Sequence, residues 1–376
     1  MADQTHIQWT DATWNPITGC SIVSKGCTNC YAMQLAGTRL KDHPSRAGLT
    51  HEVNGNHVWT GTVRFNEQWL GQPLRWTKPR RIFVCAHGDL FHESVPDAWI
   101  DSVFDTMARA RWHTFQILTK RPDRMRAYIK SVDAAKWKAF WSNRLCYSAG
   151  YPKFGIAASE PQWPLPNVWL GVSIEDQATA DDRVPLLLDT PAAIRFASAE
   201  PLLGPIDLRA VKIPPAARSS IWIANDICQG LAPEPVSEMD VDALSGGIGY
   251  FTPNHMGGCA GGSSLGRLNW VIVGGESGAR ARPMHPDWAR SLRDQCAAAG
   301  VPFFFKQWGG WLPEAQKDGS GFEWAPGQDG RAHWWKPEPP EGRGVLEDGH
   351  CSVRIGKKAA GDLLDGVQHH NWPEAR

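Results

Sequence analysis

Three cysteines fall within eleven residues near the start of the chain, as Thr18-Gly19-Cys20-x6-Cys27-Thr28-Asn29-Cys30-Tyr31. Thiolates on a loop that leads into a helix can hold three irons of a [4Fe–4S] cube and leave the fourth iron open. An open iron is what the amino and carboxylate groups of S-adenosylmethionine require. One electron from the cluster then breaks the sulfonium C–S bond, and the resulting 5′-deoxyadenosyl radical abstracts hydrogen from a substrate. The same cysteines could instead form a Cys3His zinc knot with His6 or His43, or be plain thiols. Such knots usually come as two short-spaced pairs, and here only Cys27 and Cys30 have that spacing.

The other six of the nine cysteines are scattered. A secreted disulfide framework would look different, so the pattern points to a reducing, cytoplasmic setting with a cofactor site at the front. The first residues lack the basic and apolar regions of a signal peptide. No apolar run approaches the length that spans a bilayer, which excludes membrane insertion as an expectation. Lys+Arg 39 against Asp+Glu 39 offers no broad electrostatic footprint for nucleic acid, although local basic patches remain open. The 20 tryptophans call for a heavy core and aromatic-lined clefts, with stacking on bases as the functional version of that reading.

These cysteines need a scaffold. Short apolar runs at 81–86, 114–119, 168–173, 193–198, 270–274 and 301–305 read as strands. Helices are expected over 96–109, 121–130, 176–188 and 286–299, with Pro96 and Pro286 suited to a first helical position. With a short strand near 13–18 feeding a helix from Thr28, about seven β/α units result. The expected fold class is α/β, a parallel β/α barrel or partial, TIM-like barrel over residues 1–308. Residues 226–267, with three Gly-Gly pairs and little periodicity, read as an inserted, partly mobile loop. Cys228 and Cys259 near its ends read as unpaired thiols or a small metal clip. Residues 309–376, rich in Pro, Gly and charge, read as an irregular extension wrapping the barrel.

Each strand ends in a polar group. The ends carry Cys20, then His87-Gly88-Asp89, Lys120-Arg121, Ser173-Ile174-Glu175, Ser198-Ala199-Glu200, Gly274-Gly275-Glu276 and Lys306-Gln307. In a parallel barrel these points converge on one face, where active sites are built. Cys85 lies inside a strand and reads as a buried thiol, while His87 and His92 receive no role. The bland alternative for the charged groups is a ring of salt bridges closing the barrel mouth. Glu175, Glu200 and Glu276 could also serve a hydrolase as acid and base.

Cys-x2-Cys-Tyr at the mouth of such a barrel resembles the radical S-adenosylmethionine superfamily, and within it most nearly the spore photoproduct lyase-like branch. The commonest first gap there is three residues, where this chain has six. The chain as a whole is similar to a phage-associated protein family of unassigned function. The residues that carry this likeness include Trp14-Asn15-Pro16, Asp89-Leu90-Phe91, Leu118-Thr119-Lys120-Arg121-Pro122, Glu200-Pro201-Leu202-Leu203, Gly274-Gly275-Glu276-Ser277-Gly278 and Gly356-Lys357-Lys358-Ala359-Ala360-Gly361.

The superfamily resemblance implies cofactors, a [4Fe–4S] cluster on Cys20, Cys27 and Cys30 and S-adenosylmethionine. It places Gly88 and Asp89 at the methionine amino group, Ser173 and Glu175 at the ribose and carboxylate, and Gly274 and Gly275 at the adenine. Lys120, Arg121, Glu200, Glu276 and Lys306 are then left as catalytic residues for a substrate, a nucleic-acid component or nucleotide. A flavodoxin- or ferredoxin-like electron donor is the implied protein partner. A non-catalytic iron–sulfur or zinc protein that binds nucleic acid or a protein is the alternative.

Overall fold

The computed structural model describes residues 5–132, 137, 162–214, 238–252, 255–259, 265–316, 343–345 and 350–374. Seven parallel strands form one sheet whose spatial order is the order of the sequence. They are β1 (Ala12–Trp14), β2 (Arg81–Val84), β3 (Thr114–Thr119), β4 (Val168–Ile174), β5 (Ile194–Ala199), β6 (Trp270–Gly274) and β7 (Phe303–Gln307). The sheet curls into a half-barrel with β1 and β7 as its two edges, the partial-barrel form of the expected α/β fold. Five helices follow strands: α1 (Tyr31–Gly37), α2 (Asp97–Arg109), α3 (Pro122–Ser131), α4 (Gln177–Leu188) and α5 (Pro286–Ala298). Pro96 caps α2 from outside, and Asp176 caps α4 by accepting the Thr179 N–H in a reciprocal capping box.

Side chains alternate between the two faces of each strand with period two. Ile82 and Val84, Val271 and Val273, and Phe303 and Phe305 join the main core with the helices. Phe83, Trp169, Ile194, Phe196, Trp270, Ile272 and Phe304 form a second cluster on the other face, inside the curl. Trp9 plugs this inner cluster at 4.7 Å from Phe83, and Trp372 from the tail packs at 4.9 Å from Trp270. Most of the described tryptophans therefore do core work, with Trp9, Trp14, Trp270 and Trp308 almost fully buried.

Two expectations change. The described part of the 226–267 segment is not an irregular loop. Glu238–Val241, Ile248–Thr252 and His255–Cys259 form an antiparallel meander that pairs with Val211–Lys212. Cys228 lies outside the described residues. The tail is also more regular than expected. Trp311–Pro313, Arg343–Val345 and Cys351–Arg354 make a three-stranded sheet. Further on, Phe305 N–H donates to His369 O at 2.7 Å and Asn371 N–H to Phe303 O at 3.1 Å, so the tail covers the open edge of β7. Among the described residues no helix is long and apolar enough to cross a membrane.

Candidate functional site

The polar strand ends meet above the aromatic plug. Along β3, β4, β5 and β7 the inward period that starts with Gln116, Trp169, Phe196 and Phe304 reaches Lys120, Ser173, Glu200 and Lys306 at the carboxyl end. These side chains, with the cysteine loop laid across them, enclose a cavity of about 450 Å³ whose floor includes Trp9 and Phe83. That size suits a small-molecule or cofactor site, roughly 300–1,000 Å³.

The loop is held at both ends. Gly19 N–H donates to His87 O at 3.1 Å, and Gly19 bridges Gly88 in parallel fashion. A Cβ on Gly88 would stand 3.0 Å from the carbonyls of Gly19 and Ile17, so close backbone approach accounts for this glycine. A short 3-10 turn over Lys25–Cys27 leads to Cys30, the residue that precedes α1. Ser24 Oγ donates to Glu175 Oε1 at 3.0 Å, and Asn29 Nδ2 donates to Glu276 Oε2 at 3.0 Å. Arg282 grips the same Glu276 through Nε at 2.8 Å and Nη2 at 2.6 Å, and reaches Lys25 O at 3.0 Å.

Cys20, Cys27 and Cys30 are free thiols on one cavity wall. Burial pushes Cys20 up to about 12, with Asp89 adding to it, and burial also raises Cys30. Arg121 counteracts the first shift, its Nη1 standing 3.6 Å from Cys20 Sγ. The N–H groups of Met33 and Ala32 at the start of α1 counteract the second. Guanidinium and helix N–H groups are what a bound thiolate needs. Among the described residues only His285, Asp287 and His350 bring three ligand atoms within 4.8 Å of one another. The three sulfurs therefore stand wider apart than one tetrahedral zinc would hold them. His43 bonds Ser45 Oγ at 2.7 Å, and neither it nor His6 lines the cavity. Cys85 does line the cavity, as a buried thiol that burial pushes up to about 12.

Twelve of the fourteen site residues named from sequence line this one cavity: Cys20, Cys27, Cys30, Gly88, Asp89, Lys120, Arg121, Ser173, Glu200, Gly275, Glu276 and Lys306. Glu175 and Gly274 do not. Glu175 is fully buried, in contact with Lys120 Nζ and with Arg183 Nη1 at 3.1 Å, so it braces the wall rather than facing a ligand. Gly274 lies under the Glu200 side chain, which a Cβ would meet at 3.3 Å. Gly275 needs its missing Cβ for another reason than adenine, because that atom would collide with the Trp308 carbonyl.

Every acidic strand end is matched to a cation. Lys306 Nζ donates to Glu200 at 2.6 and 2.8 Å. Asp89 accepts from Thr119 Oγ1 at 2.8 Å and from Arg121 Nη1 at 3.0 Å, and Arg121 also reaches Glu93 at 2.7 Å. The expected ring of salt bridges is therefore present, and it is the wall of the cavity. Burial works to raise Glu276, but its bonds from Arg282 and Asn29 hold it below the usual carboxylate range, unsuited to general-acid work. Sequence reasoning passed over Ser24, Asn29, Arg183 and Arg282, because charged or small polar residues in loops and helices read as solvated.

Histidine burial around the site gives a stability prediction. Burial, with Arg46 adding, pushes His87 down to about 4 from an ordinary 6.5. The folded state keeps this ring neutral, so its contribution is full above about pH 6.5 and is lost as pH falls through 6.5 to 4. The loss is on the order of 3 kcal/mol. His92, His113 and His369 are shifted the same way, each chiefly by burial. Urea midpoints measured from pH 8 to 5 should fall, and His87→Gln should flatten the fall. A pH-independent midpoint would contradict it.

No curated protein and no solved structure matches this chain. One family model does, over residues 4–373, and by that match the chain belongs to the family described as protein of unknown function (DUF5131).

Proposed function

We propose that this chain is an iron–sulfur enzyme of the radical S-adenosylmethionine type, acting on a nucleic-acid component or nucleotide. The observation that carries the reading is the convergence of three free thiols from one loop onto a cavity at the carboxyl ends of a half-barrel. Cys20, Cys27 and Cys30 would hold the cluster, which when bound would supply the electron for reductive cleavage of S-adenosylmethionine.

The chain's own groups have separable tasks. Arg121, fixed by Asp89 and Glu93, favours the thiolate form of Cys20. Tyr31 Oη donates to Ala86 O at 2.6 Å and ties the start of α1 to the end of β2. Ser173 Oγ and Lys120 Nζ, 2.8 Å apart, present a polar pair to the cofactor. Trp9 and Phe83 give the cavity an apolar surface. Lys306, Glu200 and Glu276 are left to position substrate, and a small electron-transfer protein is the partner that the chemistry requires. The test is formation of 5′-deoxyadenosine by the reconstituted protein. A stable cluster that leaves the cofactor intact would favour a non-catalytic binding role.

A further inference from the structure

The charges on the cavity wall leave one cation over. Lys120 is matched to Glu175, Arg121 to Asp89 and Lys306 to Glu200, while Lys357 lines the same cavity without an ion pair among the described residues. Lys357 comes from the tail, an exposed residue whose side chain reaches the cavity. Gly356 N–H donates to Gly310 O at 3.1 Å, Trp308 N–H donates to Gly361 O at 3.1 Å, and Ala360 is buried. Gly356 turns the chain at φ 82°, a conformation that favours glycine, and Lys357 follows it into the cavity that Lys306 also lines. Burial and then the Lys306 charge lower the Lys357 pKa, and Glu200 only partly offsets them. Glu200 is already taken by Lys306, so a second ammonium group in this cavity is poorly balanced until an anion joins it.

We propose that Lys357 and Lys306 form the subsite for a phosphate group of the substrate, on the side of the cavity that the C-terminal tail closes. Compact ammonium groups suit a tetrahedral dianion, whereas a carboxylate is met best by a guanidinium fork. The proposal deepens the reading above by naming the group that holds the substrate, and it makes the tail part of the site.

The test is calorimetric titration of the metal-free, full-length chain with inorganic phosphate, a nucleoside monophosphate, the parent nucleoside and acetate at constant ionic strength. Failure of the cluster chemistry leaves this experiment unaffected. Phosphate and the monophosphate should bind saturably, and the nucleoside and acetate at least tenfold more weakly. Lys357→Ala should weaken both phosphates by tenfold or more, and Lys357→Arg should restore most of the loss. Lys358→Ala, at an exposed residue outside the cavity lining, should bind as the parent does. Absence of phosphate binding, equal binding by Lys357→Ala, or acetate matching phosphate would overturn the proposal.

Discussion

Glu175→Gln is expected to lower the unfolding free energy by about 3–5 kcal/mol, the usual cost of removing one partner from a buried ion pair. The carboxylate is fully buried and meets Lys120 on one side and Arg183 on the other. Arg183 is itself buried, and its Nη1 also donates to Ser173 O at 2.6 Å, so it cannot swing into solvent when its partner is lost. A neutral amide keeps the shape and the acceptor for Ser24 but leaves two cations facing each other. Adding Arg183→Met should recover part of the loss, because the uncompensated charge goes with it. Chemical denaturation of the three variants measures this. A change within about 0.5 kcal/mol, as for an ordinary surface substitution, would show that Glu175 does not brace the wall.

The second large effect concerns the cysteines. Anaerobic reconstitution with iron and sulfide should give a brown protein with absorbance near roughly 400 nm. Cys20→Ala, Cys27→Ala and Cys30→Ala should each lose nearly all of the bound iron. Cys85→Ala is the informative control, because Cys85 shares the cavity yet sits in the turn just past β2, not inside the strand as expected, and is buried among apolar groups. It should keep full iron content if three thiols hold the cluster. Loss of iron in Cys85→Ala would mean four sulfur ligands and no open iron. Zinc bound by all four variants would remove the cluster altogether.

Much of this was legible because strand-forming residues advertise themselves. Thr114–Thr119 and Trp270–Gly274 have the bounds that their β-branched and aromatic runs require. The helices start where Pro96, Asp176 and Pro286 permit. The polar ends of the strands came together because a singly wound parallel sheet leaves them no other place.

The missed elements have physical reasons. His255-Met256-Gly257-Gly258-Cys259 carries two residues without side chains, so no period of two shows, yet its backbone pairs with Ile248–Thr252. The tail strands are two to four residues long and are selected by edges already formed rather than by their own propensity. Within the site, Glu175 was read as ligand-facing, and only the placement of Arg183 on α4 shows why it turns away. Lys357 is fifty residues beyond the end of the last barrel strand, and nothing local marks it as part of the wall.

The account's central claim is that the thiols serve a cluster that cleaves S-adenosylmethionine. The direct measurement is chromatography for 5′-deoxyadenosine after dithionite reduction of the anaerobically reconstituted protein with S-adenosylmethionine, with Cys27→Ala alongside. The account predicts product in the parent protein and none in the variant. Intact S-adenosylmethionine beside a stable, reducible cluster, or product formed equally by Cys27→Ala, would contradict it.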